Sequence, residues 1–237
     1  MTDPPARGLR LAATAIPLRE RDGDLELLMV KRNETLSFGG MWTFPGGTLE
    51  DGDGPIPDID DEDTCDWGAP QFLASAAAAA ARETSEETGL SCTLASMAWY
   101  SHWIPPKQVS NRFATWFFLA PEAFGELVVD KSENSEARWL SPEDALKEHH
   151  SGEFPLVAPT WCTLHDLRHA ARIDRLVDQA ITQGPFRYHT RAFRHETQRW
   201  LVWAGDAAYD SGDLMVSGAR NRALIDSRFA VVERLRS

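Results

Sequence analysis

Apolar residues along this 237-residue chain gather into runs of two kinds, which predict different elements. Leu9 to Leu18 and Leu25 to Lys31 are strand-length runs on either side of Asp22-Gly23-Asp24, so they read as two strands joined by a turn. Thr93 to Ile104 and Phe113 to Ala120 read as further strands, and Ala137 to Leu140 as a short one. Between these lies the alanine run Ala76 to Ala81, in the residue type with the best intrinsic helix propensity. It predicts a helix from about Gln71 to Thr88, with Gly89 as its stop. Ser141-Pro142-Glu143-Asp144 has the form of a capped helix start with proline in the first turn. Pro159 to Ala180 carries a long amphipathic helical pattern, and Trp200 to Trp203 and Phe229 to Val232 are short strand candidates. The pattern predicts an α+β fold: a core over residues 1–150 and a mainly helical C-terminal extension over 151–237.

Two segments break the periodicity. Phe38-Gly39-Gly40 and Trp42-Thr43-Phe44-Pro45-Gly46-Gly47 form a glycine-dense stretch where the backbone must turn tightly. Residues 54–70 hold three prolines and six acids between Asp58 and Asp66, without Lys or Arg, which predicts a solvated loop.

Composition narrows the class. No apolar run reaches the roughly 20 residues that span a bilayer, and the N-terminus has no signal-peptide core. The expected location is the cytosol, with no membrane partner. Cys65, Cys92 and Cys162 are scattered, as reduced thiols are. A formal charge of −12 argues against a nucleic-acid partner. An anionic small molecule stays compatible with it, because a bound divalent cation reverses the local sign.

The candidate chemistry lies in Arg82-Glu83-Thr84-Ser85-Glu86-Glu87-Thr88-Gly89-Leu90. Positions i, i+3 and i+4 share a helix face, so Glu83, Glu86 and Glu87 project together. Their mutual repulsion and their place at a helix C-terminus both cost stability. A hard cation such as Mg²⁺, which prefers oxygen ligands, removes both costs. The bland alternative is a solvated acidic helix end.

With the upstream glycines, the segment resembles the box of the Nudix family, G-x5-E-x7-R-E-U-x-E-E-x-G-U, where U is aliphatic. Gly47 takes the first glycine and Asp53 the place of the first Glu. Residues 54–81 supply 28 positions where the family has seven, an insertion of 21. Thr84 stands where an aliphatic residue is usual. The resemblance extends to Ala12-Ala13-Thr14-Ala15-Ile16 and Leu27-Leu28-Met29-Val30, and to Glu136 through Ala145.

That resemblance implies an α/β/α sandwich with a mixed sheet between helices. It also implies hydrolysis of the diphosphate bond of a nucleoside diphosphate linked to a group X. Glu83, Glu86 and Glu87 would hold Mg²⁺ or Mn²⁺ with the Gly46 carbonyl, Arg82 would orient a glutamate, and Glu136 (or Glu133) would act as base or extra ligand. Lys31-Arg32, Phe38-Gly39-Gly40, the split box and Ala158-Pro159-Thr160-Trp161 are similar to the peroxisomal-type coenzyme A diphosphatases. On that basis Arg32 is a candidate for the 3′-phosphate of coenzyme A, beside Lys31, Lys107 and Arg112. Trp42 and Trp103 are candidates for stacking on an adenine, and Gly46 and Gly47 for contact with the substrate. ADP-ribose, a dinucleotide such as NADH and a non-catalytic nucleotide sensor are the alternatives, and a homodimer is the assembly left open. His165 and His169, spaced like zinc ligands on a helix, lack an identifiable third ligand and read as structural.

Overall fold

The computed structural model describes residues 8–36, 38–56, 58–59, 61–170 and 172–225, and the strand pairing of 230–234. Strands β1 (Arg10–Arg21) and β2 (Asp24–Arg32) form the expected hairpin. Its two turn residues, Asp22 and Gly23, both take positive φ (54° and 93°), as a two-residue hairpin turn requires. Then follow β3 (Trp42–Thr43), β4 (Gly46–Thr48), helix α1 (Pro70–Thr88), β5 (Ser91–Cys92), β6 (Ala98–Ile104) and β7 (Phe113–Ala120). Strands β8 (Ala123–Phe124) and β9 (Asn134–Leu140) precede helices α2 (Pro142–Ser151), α3 (Ala158–Leu167) and α4 (Ile173–Gln183). The chain ends in β10 (Phe186–His189), β11 (Arg191–His195), β12 (Gln198–Val202), β13 (Asn221–Ile225) and β14 (Ala230–Arg234).

The main sheet runs β10-β6-β7-β1-β2-β3, with β4 on β1 and β9 on β2. It is mixed: β7 lies parallel to β1 and β10 parallel to β6, while the other pairs are antiparallel. Alternation along the strands gives each face its own core. Ala13, Ala15, Trp116 and Phe118 pack under Ala76, Ala79 and Ala80 of α1. Ile16, Leu27, Met29, Phe117 and Leu119 meet Trp161, Leu164 and Leu167 of α3 and Leu176 of α4. The alanine stripe brings the α1 backbone close to the sheet, which fixes the height of its carboxylates above the strands. Thr84 is wholly buried where the box has an aliphatic residue, and its hydroxyl donates to the Ala80 carbonyl at 2.7 Å. The polar group is thereby satisfied inside its own helix.

The region beyond residue 151 holds more strand than the pattern predicts. The long helical pattern divides at Arg168–Arg172 into α3 and α4, and β10 joins the edge of the main sheet. Tyr188 of β10 stacks on Trp103 at 3.8 Å, so this region shares the main core. Strands β11 to β14 form a separate antiparallel sheet.

The insertion differs from the solvated loop its composition predicts. Trp67 is 5% exposed, lies 4.6 Å from His102, and accepts through its carbonyl a bond from Trp116 Nε1 at 3.0 Å. Glu62 is paired with Arg112 at 2.7 Å and Asp63 with Lys107 at 2.9 Å. One aromatic anchor and two cations from the β6–β7 connection dock the segment, contacts that charge counting within the segment does not see. Burial beneath Trp67 lowers the His102 pKa to about 3, so that ring is a neutral part of the core.

Candidate active site

The site forms where the C-terminal half of α1 meets the β3–β4 turn, the end of β2 and the start of β9. Gly89 closes the helix with φ 72°, its N–H donating to the Ser85 carbonyl. The next carbonyls, of Glu87 and Thr88, accept from the N–H groups of Asp130 and Val128, each at 2.9 Å. This strap before β9 satisfies a helix end that would otherwise face the carboxylates with bare dipoles.

Of the three glutamates, Glu83 and Glu87 are buried and Glu86 reaches solvent. Glu87 accepts from Arg32 Nη1 at 2.6 Å and from the Gly46 N–H at 3.1 Å. Burial pushes its pKa up to about 7, against the opposing pull of Arg32, the Asn134 amide and the Gly46 N–H; the charge of Glu83 adds to the rise. Burial also raises Glu83, although Arg82 beside it favours its ionised form. Gly47 packs directly against the Glu83 carboxylate, and a Cβ there would collide with it. At Gly46 a Cβ would run into the backbone of β1. The two glycines therefore let the turn and the helix face touch.

Arg82 ties this face together. It holds Asp53 with two parallel bonds (2.9 and 3.0 Å), Glu83 and Glu86 each at 3.0 Å, and the Thr48 carbonyl at 3.1 Å. The hydrogen bond from Arg82 lowers the Asp53 pKa. Asp53 thus reaches the helix despite the 28 residues between it and Arg82, because the insertion leaves and returns on the same side. Its first residues are tied to the helix by the Ser75 hydroxyl, which donates to the Pro55 carbonyl at 2.9 Å.

Three expectations need correction. Trp42 is 3% exposed and stacks on Phe154 at 4.3 Å, and Trp103 is equally buried against Tyr188. Both rings are core, with no face left for adenine. Arg32 points at Glu87 and Glu133 rather than outward as a ready phosphate ligand. Glu136 is exposed opposite Lys31, whereas Glu133 lies 3.3 Å from Arg32. A register shift between Lys31 and Arg32 sets Asn134 opposite Arg32, so Glu133 and Asn134 turn towards α1. Asn134 is fully buried, and its amide has no hydrogen bond of ordinary geometry. Sequence spacing missed Asn134, because only the bulge brings it to the site.

Elsewhere among the described residues, Glu62, Asp63 and His189 are close enough to share a cation. Arg112 and Lys107 already neutralise those two acids. His165 stacks on Trp161 and contacts Arg168 through Nδ1, which agrees with a structural role. Among the described residues, no helix is long and apolar enough to cross a membrane.

Residues 73–179 match the model of the NUDIX domain. Among solved structures, the NUDIX hydrolase of Alicyclobacillus acidocaldarius is similar at 24% identity and TM-score 0.58, over 72% of this chain and 96% of that one. The MutT NUDIX hydrolase of Burkholderia pseudomallei is similar at 19% identity and TM-score 0.46, over 67% and 98%. The NUDIX domain of Shewanella oneidensis NrtR, complexed with ADP ribose, is similar at 18% and TM-score 0.47, over 70% and 92%. At 24% identity the first of these shows the fold alone. No curated protein matches the chain. The domain match over residues 73–179 and the likeness in fold agree with one another on the class of fold.

Proposed function

We propose that the protein hydrolyses, with Mg²⁺ or Mn²⁺, the diphosphate bond of a nucleoside diphosphate linked to a further group. The observation that carries the reading is an uncompensated negative charge. Among the described residues, Glu83, Glu86, Glu87, Glu133 and Asp53 meet only two guanidinium groups, those of Arg82 and Arg32. Two of the glutamates are buried and raised in pKa, beside a buried Asn134 amide that lacks a well-formed bond. Such a donor set fits a hard divalent cation, with Glu83, Glu86 and Glu87 as the residues that would hold it. When bound, the ion would polarise the phosphoryl oxygen and make a water nucleophilic. Arg82 keeps Glu83 and Glu86 in fixed rotamers, Gly46 fixes Glu87, and Glu133 is the acid placed to accept a proton at the rim.

Coenzyme A belongs to this substrate class, but three of the four cations offered for its 3′-phosphate are engaged: Arg32 by Glu87, Lys107 by Asp63 and Arg112 by Glu62. The reading is therefore strongest for the shared nucleoside diphosphate moiety. The test is incubation with Mg²⁺ and a panel of ADP-ribose, NADH, coenzyme A and nucleoside triphosphates, with products identified by mass. Cleavage between the two phosphorus atoms of at least one member is expected. A protein that binds the panel without cleaving any member would be a sensor instead.

A further inference from the structure

We infer that Arg32 is a placeholder cation, holding Glu87 until a divalent ion takes that carboxylate and then turning to the substrate diphosphate. The inference rests on the metal-dependent reading above and adds a residue to it. Both oxygens of Glu87 are occupied by hydrogen-bond donors of the chain, Oε1 by Arg32 Nη1 at 2.6 Å and Oε2 by the Gly46 N–H at 3.1 Å. Each oxygen keeps a second lone pair, but an ion that binds Glu87 competes with these donors for the carboxylate's charge and is repelled by the guanidinium beside it. The Gly46 N–H belongs to a turn locked against β1 at Thr14, so it cannot leave. The guanidinium ends a flexible side chain and can.

Arg32 also has somewhere to go. Its Nη1 already lies 3.3 Å from Glu133, which is about half exposed, so rotation about the side chain carries the charge to the rim without leaving it unpaired. There the planar donor fork suits a phosphate. Repulsion between the arriving ion and the guanidinium favours the exchange, and an anionic substrate stabilises its end point. The chain thus carries one cation for Glu87 in the resting state and offers a second, phosphate-directed cation once the site is loaded.

The test follows the arginine Nε–Hε and backbone amide signals by NMR during a Mg²⁺ titration, then on addition of α,β-methylene ADP. The Arg32 signal is assigned by its loss in Arg32→Lys, or through bonds if that variant does not fold. The Gly46 amide, bonded to Glu87, reports arrival of the ion independently. Gly46 and Arg32 should move together with one saturable Mg²⁺ dependence, and the analogue should shift Arg32 again. A Gly46 signal that titrates while Arg32 stays still would overturn the inference and leave the metal site standing. If neither moves, Glu87 is no ligand and the metal reading fails with it. In a second measurement, Arg32→Met should weaken α,β-methylene ADP binding by tenfold or more with Mg²⁺ present. Undiminished affinity would overturn the second half of the exchange.

Discussion

Glu87 and Asp206 are both buried carboxylates facing an arginine, yet the fold drives their protonation in opposite directions. Burial alone would raise both. At Asp206 two bonds from Arg222 (2.7 and 2.5 Å) and the N–H groups of Asn221 and Ala208 overcome it, and the pKa falls. Glu87 has one guanidinium nitrogen, the Asn134 amide, one glycine N–H and a neighbouring glutamate, and its pKa rises to about 7. The first carboxylate is saturated with donors, which is how a structural charge is kept inside a protein. The second has fewer, and burial outweighs them. A fold that satisfies Asp206 with four donors has no physical difficulty in doing the same for Glu87. The deficit is what a missing positive charge would fill.

The largest expected effect separates the two sites by stability. Asp206→Ala leaves Arg222, 5% exposed, as an unpaired buried charge, which should cost about 3–5 kcal/mol. Urea denaturation read by tryptophan fluorescence should show it. Glu87→Gln should cost no stability in metal-free buffer at pH 7.5, because it removes a charge the fold barely tolerates. Equal destabilisation by both variants would break the comparison.

The next effect appears in activity. Glu83→Gln and Glu87→Gln should each lower kcat/KM at least about a hundredfold, roughly 2.7 kcal/mol of barrier. Near-normal turnover of both variants would remove the α1 carboxylates from the chemistry.

The third sharpens the comparison through pH. For Glu87 the acid form is the one the fold favours, its pKa moving from 4.5 to about 7. The stability this supplies is complete below pH 4.5 and is lost as pH rises towards 7. Between pH 5.5 and 7 the metal-free wild type should therefore lose about 2 kcal/mol relative to Glu87→Gln, at roughly 1.4 kcal/mol per unit. The lowered pKa of Asp206 has the reverse sign: its stabilisation is present at neutral pH and lost in acid. A wild-type to Glu87→Gln difference that stays flat across this window would contradict the raised pKa.

How far these sites were legible in the sequence follows from the range of the interactions that build them. The carboxylate face needed only helical spacing, and Glu83 and Glu87 lie where that spacing puts them. The β1–β2 turn and the start of α2, where Ser141 accepts from the Asp144 N–H, are likewise local chemistry. Asp53 at the helix, Asn134 beside Glu87 and Arg32 on Glu87 depend on a docked insertion, a bulge and a strand end meeting a helix. None of these leaves a period in the sequence. Trp42 failed as a stacking candidate for the same reason, since its neighbour Phe154 is more than a hundred residues away. The Asp206–Arg222 pair is equally nonlocal and left no signal that spacing could find.

The smallest expected effect concerns the insertion, whose anchoring divides between a buried ring and surface charge. Lys107 is 62% exposed and shares Glu62 with Arg112, which is 9% exposed and keeps its own bond to that acid. An exposed pair of this kind contributes little, because water and salt screen it and ordering two long side chains costs entropy. Lys107→Ala should therefore leave the melting temperature and the Mg²⁺ affinity unchanged in about 0.15 M salt, with Trp67 still packed on His102 and Trp116. Differential scanning fluorimetry and calorimetric Mg²⁺ titration would check both. A drop of more than about 3 °C would exceed what an exposed pair supplies in a chain of this size. It would mean that charge, rather than the tryptophan, holds the insertion down, and that high salt should release it.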